Sequence, residues 1–417
     1  MQLYDTLSQE VKMLTLQQQP LTAYVCGITP YDATHLGHAF TYTALDILIR
    51  YLEFQGQSVR YVQNVTDVDD DILRKAGQLG EHWKELGDRW TARFILDMIR
   101  LNVRPPDGFP RATGAIPQMI EMVQKLLRAK VAYEAGGSVY FHIDSWPGYG
   151  KLSRLSRGEM LPLANERGNN PDDPNKRDPL DFVLWQAESP GEPAWDSPWG
   201  QGRPGWHIEC STMAMHFLGE TIDVHAGGSD LIFPHHESEI AQAQGASGEK
   251  PFVRWWVHTA MVRHEGEKMS KSLGNLVMVD DLLQDWSPDS LRVYLALHHY
   301  RCPWAHNQEE LKRAHEMVAR LRRAAAADGR AGHPLPCAPF RAAFAAAMDD
   351  DLDTPVALTS LERLSDAILA AADAGRDVRA AQELLRSMTS VFGLRLDAKQ
   401  PQEQVTARWT QYLDDFV

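Results

Sequence analysis

The chain changes texture several times in its pattern of apolar and polar residues. "LTAYVCGI" (21–28) is a short apolar run closed by a turn signal, which predicts a buried strand. Next, Phe40, Ala44, Ile47, Leu48, Tyr51 and Leu52 recur at helical spacing, with Gly56 as a stop. "SVRYVQNVTDVDDDI" then reads as a second strand running into a polar loop. Strand, helix and strand in close succession predict a βαβ unit of a parallel sheet. "TIDVHAGGSDLIF" and "FVRWWVHTAMV" supply two more strand candidates, each followed by polar residues. Ligands of such sheets sit beyond the carboxyl ends of the strands, where "CGITPYDATHLGH" and "NVTDVDD" both fall.

Residues 80–130 carry helical periodicity, as in "IPQMIEMVQKLLRAK". "EAGGSVYFHIDSWPGYGKLSRLS" is strand-like with turns, and "ANERGNNPDDPNKRDPLD" and "SPGEPAWDSPWGQGRPGW" read as loops. Residues 111–199 are therefore expected to form an insertion, with the sheet domain resuming near Gly205. After about residue 290 the chain becomes rich in alanine, leucine and arginine. "GRAGHPLPCAP" reads as a linker, followed by bundle helices in which Asp353 or Thr354 caps a helix with Pro355 in its first turn.

Composition narrows the classes. The chain has 417 residues, 44% hydrophobic and 24% charged, with no apolar run of membrane-spanning length. The polar start "MQLYDTLSQEVKML" lacks signal-peptide character, so a cytoplasmic protein without membrane attachment is expected. The net charge of -14 weighs against a grip on a nucleic-acid backbone. "ELKRAHEMVARLRRAAAADGR", the most basic stretch, reads as a solvated helix face. The four cysteines, Cys26, Cys210, Cys302 and Cys337, are too sparse for a disulfide scaffold and suit a reducing compartment.

The strongest local signal is "GEKMSKSLGN" (266–275). Lys268 and Lys271, with Ser270 and Ser272, suit the migrating charge of a nucleoside triphosphate. Upstream, His35 and His38 frame Gly37 where a strand turns into a helix, at a helix N-terminus that favours anions. The histidines are expected to donate hydrogen bonds to phosphate oxygens, and the lysines to stabilise the β- and γ-phosphates during attack on the α-phosphorus. The pair resembles the two signatures of class I aminoacyl-adenylate-forming enzymes.

Cys26 stands just upstream of the histidines, and Cys210 lies in "PGWHIECSTMAM". In "SDLIFPHHESEIAQAQ", His235 and Glu239 are one helical turn apart. Two cysteines, a histidine and a carboxylate match zinc's preferences, although the spacing is unlike a zinc finger. Inert buried thiols are the competing reading.

Over residues 20–360 the chain resembles cysteinyl-tRNA synthetase and its relative, the cysteine ligase of mycothiol biosynthesis. The resemblance rests on "YVCGITPYDATHLGHAFTY", "YVQNVTDVDD", "KRDPLDFVLW", "WDSPWGQGRPGWHIECS", "HAGGSDLIFPHHE" and "GEKMSKSLGN". It implies an α/β fold: a Rossmann-like class I synthetase catalytic domain (1–110 and 200–262) with an inserted connective segment (111–199). A connecting region with the lysine loop (263–330) and a C-terminal helical bundle (331–417) would follow. It implies zinc on Cys26, Cys210 and His235, with Glu239 as a fourth ligand in the synthetases. A soft metal with an open position can take the thiolate of cysteine, which serine and alanine lack.

The resemblance also places Cys26, Gly27, Ile28, Thr29, Thr41, Asn64, Val65, Thr66, Trp206 and Val262 around a cysteinyl-adenylate. Gly228, Ser229 and Asp230 would lie near its ribose and adenine. It implies L-cysteine and ATP with Mg²⁺ as substrates, and His35, His38, Lys268 and Lys271 as the catalytic groups. For deprotonation of an acceptor amine, Asp230, His35 and His236 are candidates. Asp67, Asp69 and Asp70 read mainly as loop structure and substrate-amine contacts.

The acceptor is expected to be glucosaminyl-inositol rather than tRNA. "CGITPYDATHLGHA" resembles the mycothiol ligase, as does "NERGNNPDDPNKRDPLD" except for Asn169 and Asn170, which replace Gly and Asp. The sequence ending at Val417 leaves no room for the anticodon-binding domain usual in the synthetases, and the acidic total suits a small acceptor. Glu239 points the other way, to a synthetase or a truncated paralogue. Two further alternatives are a free-standing cysteine-activating enzyme and a non-enzymatic binding module; the latter conflicts with the intact histidines and lysines. A monomer is expected.

Overall fold

The computed structural model describes all residues except 16–18, 265–266, 269–273, 330, 397–402 and 417; of 267, 268, 403 and 404 only the backbone is described. Its centre is a parallel four-stranded sheet in the spatial order Val253–Thr259, Ile222–Gly228, Leu21–Ile28, Val59–Val65. These strands read as apolar runs because both faces are covered. Ala23, Val25, Val224 and Ala226 point into a core shared with the helix Leu36–Phe54 and the C-terminal bundle. Tyr24, Cys26 and Trp256 point into a second core, shared with the helix Trp206–Leu218 and the insertion. The period-two alternation thus sends Cys26 toward the helix that carries Cys210.

The crossover from Leu21–Ile28 to Val59–Val65 goes one way, and the chain returns at Ile222 on the other side of the first strand. The reversal opens a crevice at the strands' carboxyl ends. The acidic stretch after Val65, read as a loop, begins a helix, Asp70–Leu79. The Asp69 side chain accepts the Asp71 N–H at 2.8 Å, and Asp70 and Asp71 stand in the first turn, where the helix dipole favours them.

The insertion holds an antiparallel sheet of Ala132–Ala135, Ser138–Phe141, Phe182–Ala187 and Gly202–Pro204. Its last strand falls beyond residue 199 and leads directly into the helix Trp206–Leu218. A Cβ at the junction residue Gly205 would stand 2.1 Å from the Val183 carbonyl oxygen, so only glycine fits. The stretch read as a loop from Ala164 begins as the end of a helix, Arg157–Asn165.

The bundle comprises Gln308–Ala326, Ala338–Asp349, Thr354–Asp373 and Arg379–Val391. Asp353 caps the third of these, accepting the Val356 N–H at 3.1 Å, with Pro355 in the first turn. Arg292, fully buried, pairs with Asp46 and donates to the Leu101 carbonyl at 2.8 Å, locking the bundle side to the sheet domain. Among the described residues no helix is long and apolar enough to cross a membrane.

Candidate active site and metal centre

The floor of the crevice is Gly27 against Asn64. The Gly27 N–H donates to Asn64 Oδ1 at 2.8 Å, and a Cβ there would overlap the Asn64 carbonyl oxygen at 1.5 Å. Asn64 Nδ2 donates to the Thr66 hydroxyl at 3.2 Å, and Cys210 Sγ lies 3.6 Å from Asn64 Oδ1. Ile28 and Val65 end the two strands and are buried. Thr41 reaches Thr259 by a 2.7 Å hydroxyl–hydroxyl bond.

Cys26, Cys210, His235 and Glu239 meet as the sequence suggested. One ligand atom from each lies within 4.8 Å of the others, and all four residues are buried. A backbone kink at Phe233 (φ -137°, ψ 134°) precedes His235, and the helix Glu237–Ser247 then sets Glu239 one turn on. His235 Nε2 is 3.2 Å from Glu239 Oε1, and Cys26 Sγ is 3.6 Å from the same oxygen. The sequence reading missed a layer of histidines behind them. His225 Nε2 meets Glu239 Oε2 at 2.9 Å, His207 meets His235 at 3.0 Å, and His258 meets His236 at 2.7 Å. The one available signal was a histidine inside each of the apolar runs "TIDVHAGG" and "WWVHTAM".

A second set, Cys26, His225, His236 and Glu239, is also close enough to share an ion. The first set holds both thiols, the donors zinc prefers, so the other histidines fit better as groups that orient the ligands. Burial, with Cys210 and Glu239 adding, pushes the Cys26 thiol far above its ordinary range. Burial likewise raises the Glu239 carboxyl and lowers His235 and His236. So many buried donors forced into neutral forms suit a divalent cation, which would reverse the thiol and carboxyl shifts.

His35 caps the helix Leu36–Phe54: its Nδ1 accepts the N–H groups of Gly37 and His38 at 3.1 and 3.4 Å. That places the proton on Nε2, which makes this nitrogen a hydrogen-bond donor. His38 stacks on His35 at 3.8 Å between ring centroids. The Leu36 N–H donates to the Val277 carbonyl and the Val279 N–H to the Thr34 carbonyl, so the segment after the lysine loop is stitched to the histidine motif. Lys268 is described only by its backbone in Glu267–Lys268, while Ser270, Lys271 and Ser272 lie outside the described residues. Val262 pairs with Trp304 in a small separate sheet, its side chain buried in the core. Gly228 ends its strand, and Ser229 and Asp230 form the next turn.

A cavity of about 700 Å³ opens beside this crevice. Thr29, Trp206, Glu209, Asp69, Asp70 and Arg203 line it, together with Ala164 and residues 166–170 of the insertion. Arg167 ties the insertion to the turn after Gly228 by donating to the Asp230 carbonyl at 2.7 Å. Trp206 stacks on His235 at 4.5 Å, joining cavity to metal set.

The family profile for the tRNA synthetases class I (C) catalytic domain matches residues 12–316. The chain belongs to that family. A DALR domain, covering residues 343–397, follows the class I domain. The chain is 46% identical over 399 residues to the L-cysteine:1D-myo-inositol 2-amino-2-deoxy-alpha-D-glucopyranoside ligase of Thermomonospora curvata, covering 94% of each chain. It is 42% identical to the cysteine–tRNA ligase of Dehalococcoides mccartyi, covering 96% of this chain and 88% of that one. The fold is also that of Mycobacterium tuberculosis methionyl-tRNA synthetase in complex with methionyl-adenylate, at a TM-score of 0.65, 16% identity and 96% and 92% coverage.

Proposed function

We propose that the protein activates L-cysteine with ATP and joins it to the amine of glucosaminyl-inositol, forming an amide and AMP. The observation that carries this reading is the polar cavity beside the crevice. Its volume of about 700 Å³ suits a small polyol amine, and it is walled by charged and amide side chains. The 46% identical ligase supports the same reading. On this reading the protein is a cytoplasmic enzyme that acts as a monomer.

Cys26, Cys210, His235 and Glu239 would hold zinc, which when bound supplies an electrophilic seat for the substrate thiolate. The floor of Gly27, Asn64 and Thr66 orients the cysteine, with Thr29 and Trp206 at the cavity boundary. His35 Nε2–H and His38 receive the phosphates of ATP with its Mg²⁺, at the helix N-terminus. Lys268 and Lys271 follow the charge that builds on pyrophosphate as the carboxylate attacks. Gly228, Ser229, Asp230 and the backbone of Val262 border the nucleoside. The acceptor nitrogen then attacks the acyl carbon and AMP departs.

Glu239 in the metal set and the 42% identical tRNA ligase favour a second reading, transfer to tRNA. The test is incubation with ATP, Mg²⁺, cysteine and glucosaminyl-inositol, with products weighed by mass spectrometry. The amide with stoichiometric AMP is expected. Cysteine-dependent pyrophosphate exchange without any amide would refute the acceptor.

A further inference from the structure

Glu209 is unexplained by cysteine activation. It is 1% exposed, and neither carboxyl oxygen has a hydrogen-bond partner of ordinary geometry; burial, with Cys210, Asp69 and Asp67 adding, pushes its carboxyl far above the ordinary range, against a smaller lowering by the Thr66 hydroxyl. An unpartnered buried carboxylate is costly and calls for a ligand. Glu209 lines the cavity, and so does Asp69, which stands at the N-terminus of the helix Asp70–Leu79. Thr29 and Trp206, at the boundary with the cysteine crevice, line the same space. A cationic nitrogen drawn to the two carboxylates would therefore stand beside the place proposed for the acyl carbon.

We infer that Asp69 and Glu209 form the seat for the acceptor's ammonium group, and that Asp69 takes its proton before the nitrogen attacks. The inference rests on the ligase reading above. One N–H proton passes from the ammonium to the Asp69 carboxylate. The neutral nitrogen forms the C–N bond as the acyl C–O bond to phosphate breaks, and the second N–H proton leaves with the phosphate of AMP. Glu209 accepts a hydrogen bond and positions the nitrogen.

The groups facing Asp69 fit this task. Asp70 and Asp71 on its own helix add negative charge, Glu209 lines the same cavity and is itself raised in part by Asp69, and Tyr31 lies nearby. Arg203 is the opposing cation, itself held by Asp70 and by Glu192 at 2.9 Å. Desolvation, aided by Asp71 and Asp70, pushes Asp69 up to about 7, where a base is half ionised near neutrality. Two of the other candidate bases, His236 and His35, are engaged elsewhere. His236 sits between Cys26 Sγ at 3.2 Å and His258 at 2.7 Å, and His35 Nδ1 accepts two backbone N–H groups.

The test compares wild type with Asp69→Asn, which preserves the helix cap, and with Glu209→Gln. Single-turnover transfer from enzyme-held cysteinyl-AMP to glucosaminyl-inositol is followed across pH, with pyrophosphate exchange measured in parallel. Wild-type transfer should rise with pH through about 7 as Asp69 ionises. Asp69→Asn should slow transfer about 100-fold or more and move that limb up to the acceptor amine's own ionisation, roughly 8. Glu209→Gln should raise the acceptor KM at least about tenfold with a smaller change in kcat. Unchanged transfer in both variants, or an equal loss of exchange and transfer in Asp69→Asn, would overturn the seat. A wild-type protein that makes no amide would instead overturn the ligase reading.

Discussion

Gly27 shows how tightly single residues constrain the crevice. The carbonyl of Asn64 occupies the space a Cβ would need, at 1.5 Å, so Gly27→Ala must push the two central strands apart. Overpacking of this kind costs about 1–3 kcal/mol. A drop in thermal midpoint with loss of cysteine-dependent exchange is expected, and unchanged stability would refute the contact. Cys26→Ala or Cys210→Ala should remove zinc and cysteine activation together, as read by metal analysis and pyrophosphate exchange. Activity in zinc-free protein would rule out the metal role. His225→Gln tests the choice between the overlapping donor sets: zinc should remain bound, whereas His235→Gln should release it. Of these residues, Cys26, Cys210, His235 and Glu239 were legible because their chemistry is unusual and their motifs specific. His225 and Glu209 were not, because each acquires meaning only from a neighbour distant in sequence.

Among elements, the strands of the central sheet were the most legible. Burial on both faces writes them as apolar runs, and "LTAYVCGI" coincides with the strand Leu21–Ile28. The helix Asp70–Leu79 was hidden because its acids serve as cap and first turn, and only Ile72 and Ala76 are buried. The N-terminal hairpin, Gln2–Asp5 with Glu10–Met13, was hidden by its shortness. It is held through Asp5, which accepts from the Trp256 N–H at 2.9 Å and from Lys12 at 2.7 Å. The segment that follows the lysine loop is tied to the histidine motif by the hydrogen bonds of the Leu36 and Val279 N–H groups. Lys271→Ala should therefore slow adenylate formation without changing zinc content. Wild-type exchange in that variant would refute the role of the loop.

Across the whole molecule, two cores meet at the sheet, and the site lies where their elements converge. Alternation along one strand decides that Cys26 faces the helix carrying Cys210 while Val25 faces the bundle. The C-terminal helix Glu403–Asp414 braces the sheet domain from outside. Trp409, fully buried, packs on Phe94 and Phe109 and donates to the Val103 carbonyl at 2.9 Å. Trp409→Ala should cost about 3–5 kcal/mol in denaturant unfolding while leaving zinc binding intact. Concurrent loss of zinc would show that the brace and the site unfold as one unit. The insertion was visible as a change of texture, but its contribution to the lining of a cavity required the fold.

The measurement that bears most directly on the central claim is a partition experiment. Enzyme-held cysteinyl-AMP is chased with glucosaminyl-inositol and cysteine-accepting tRNA together, and the fate of the cysteinyl group is read by mass spectrometry. Cysteine recovered as the amide, with the tRNA uncharged, is the predicted result. Cysteine recovered on tRNA, with no amide, would contradict it.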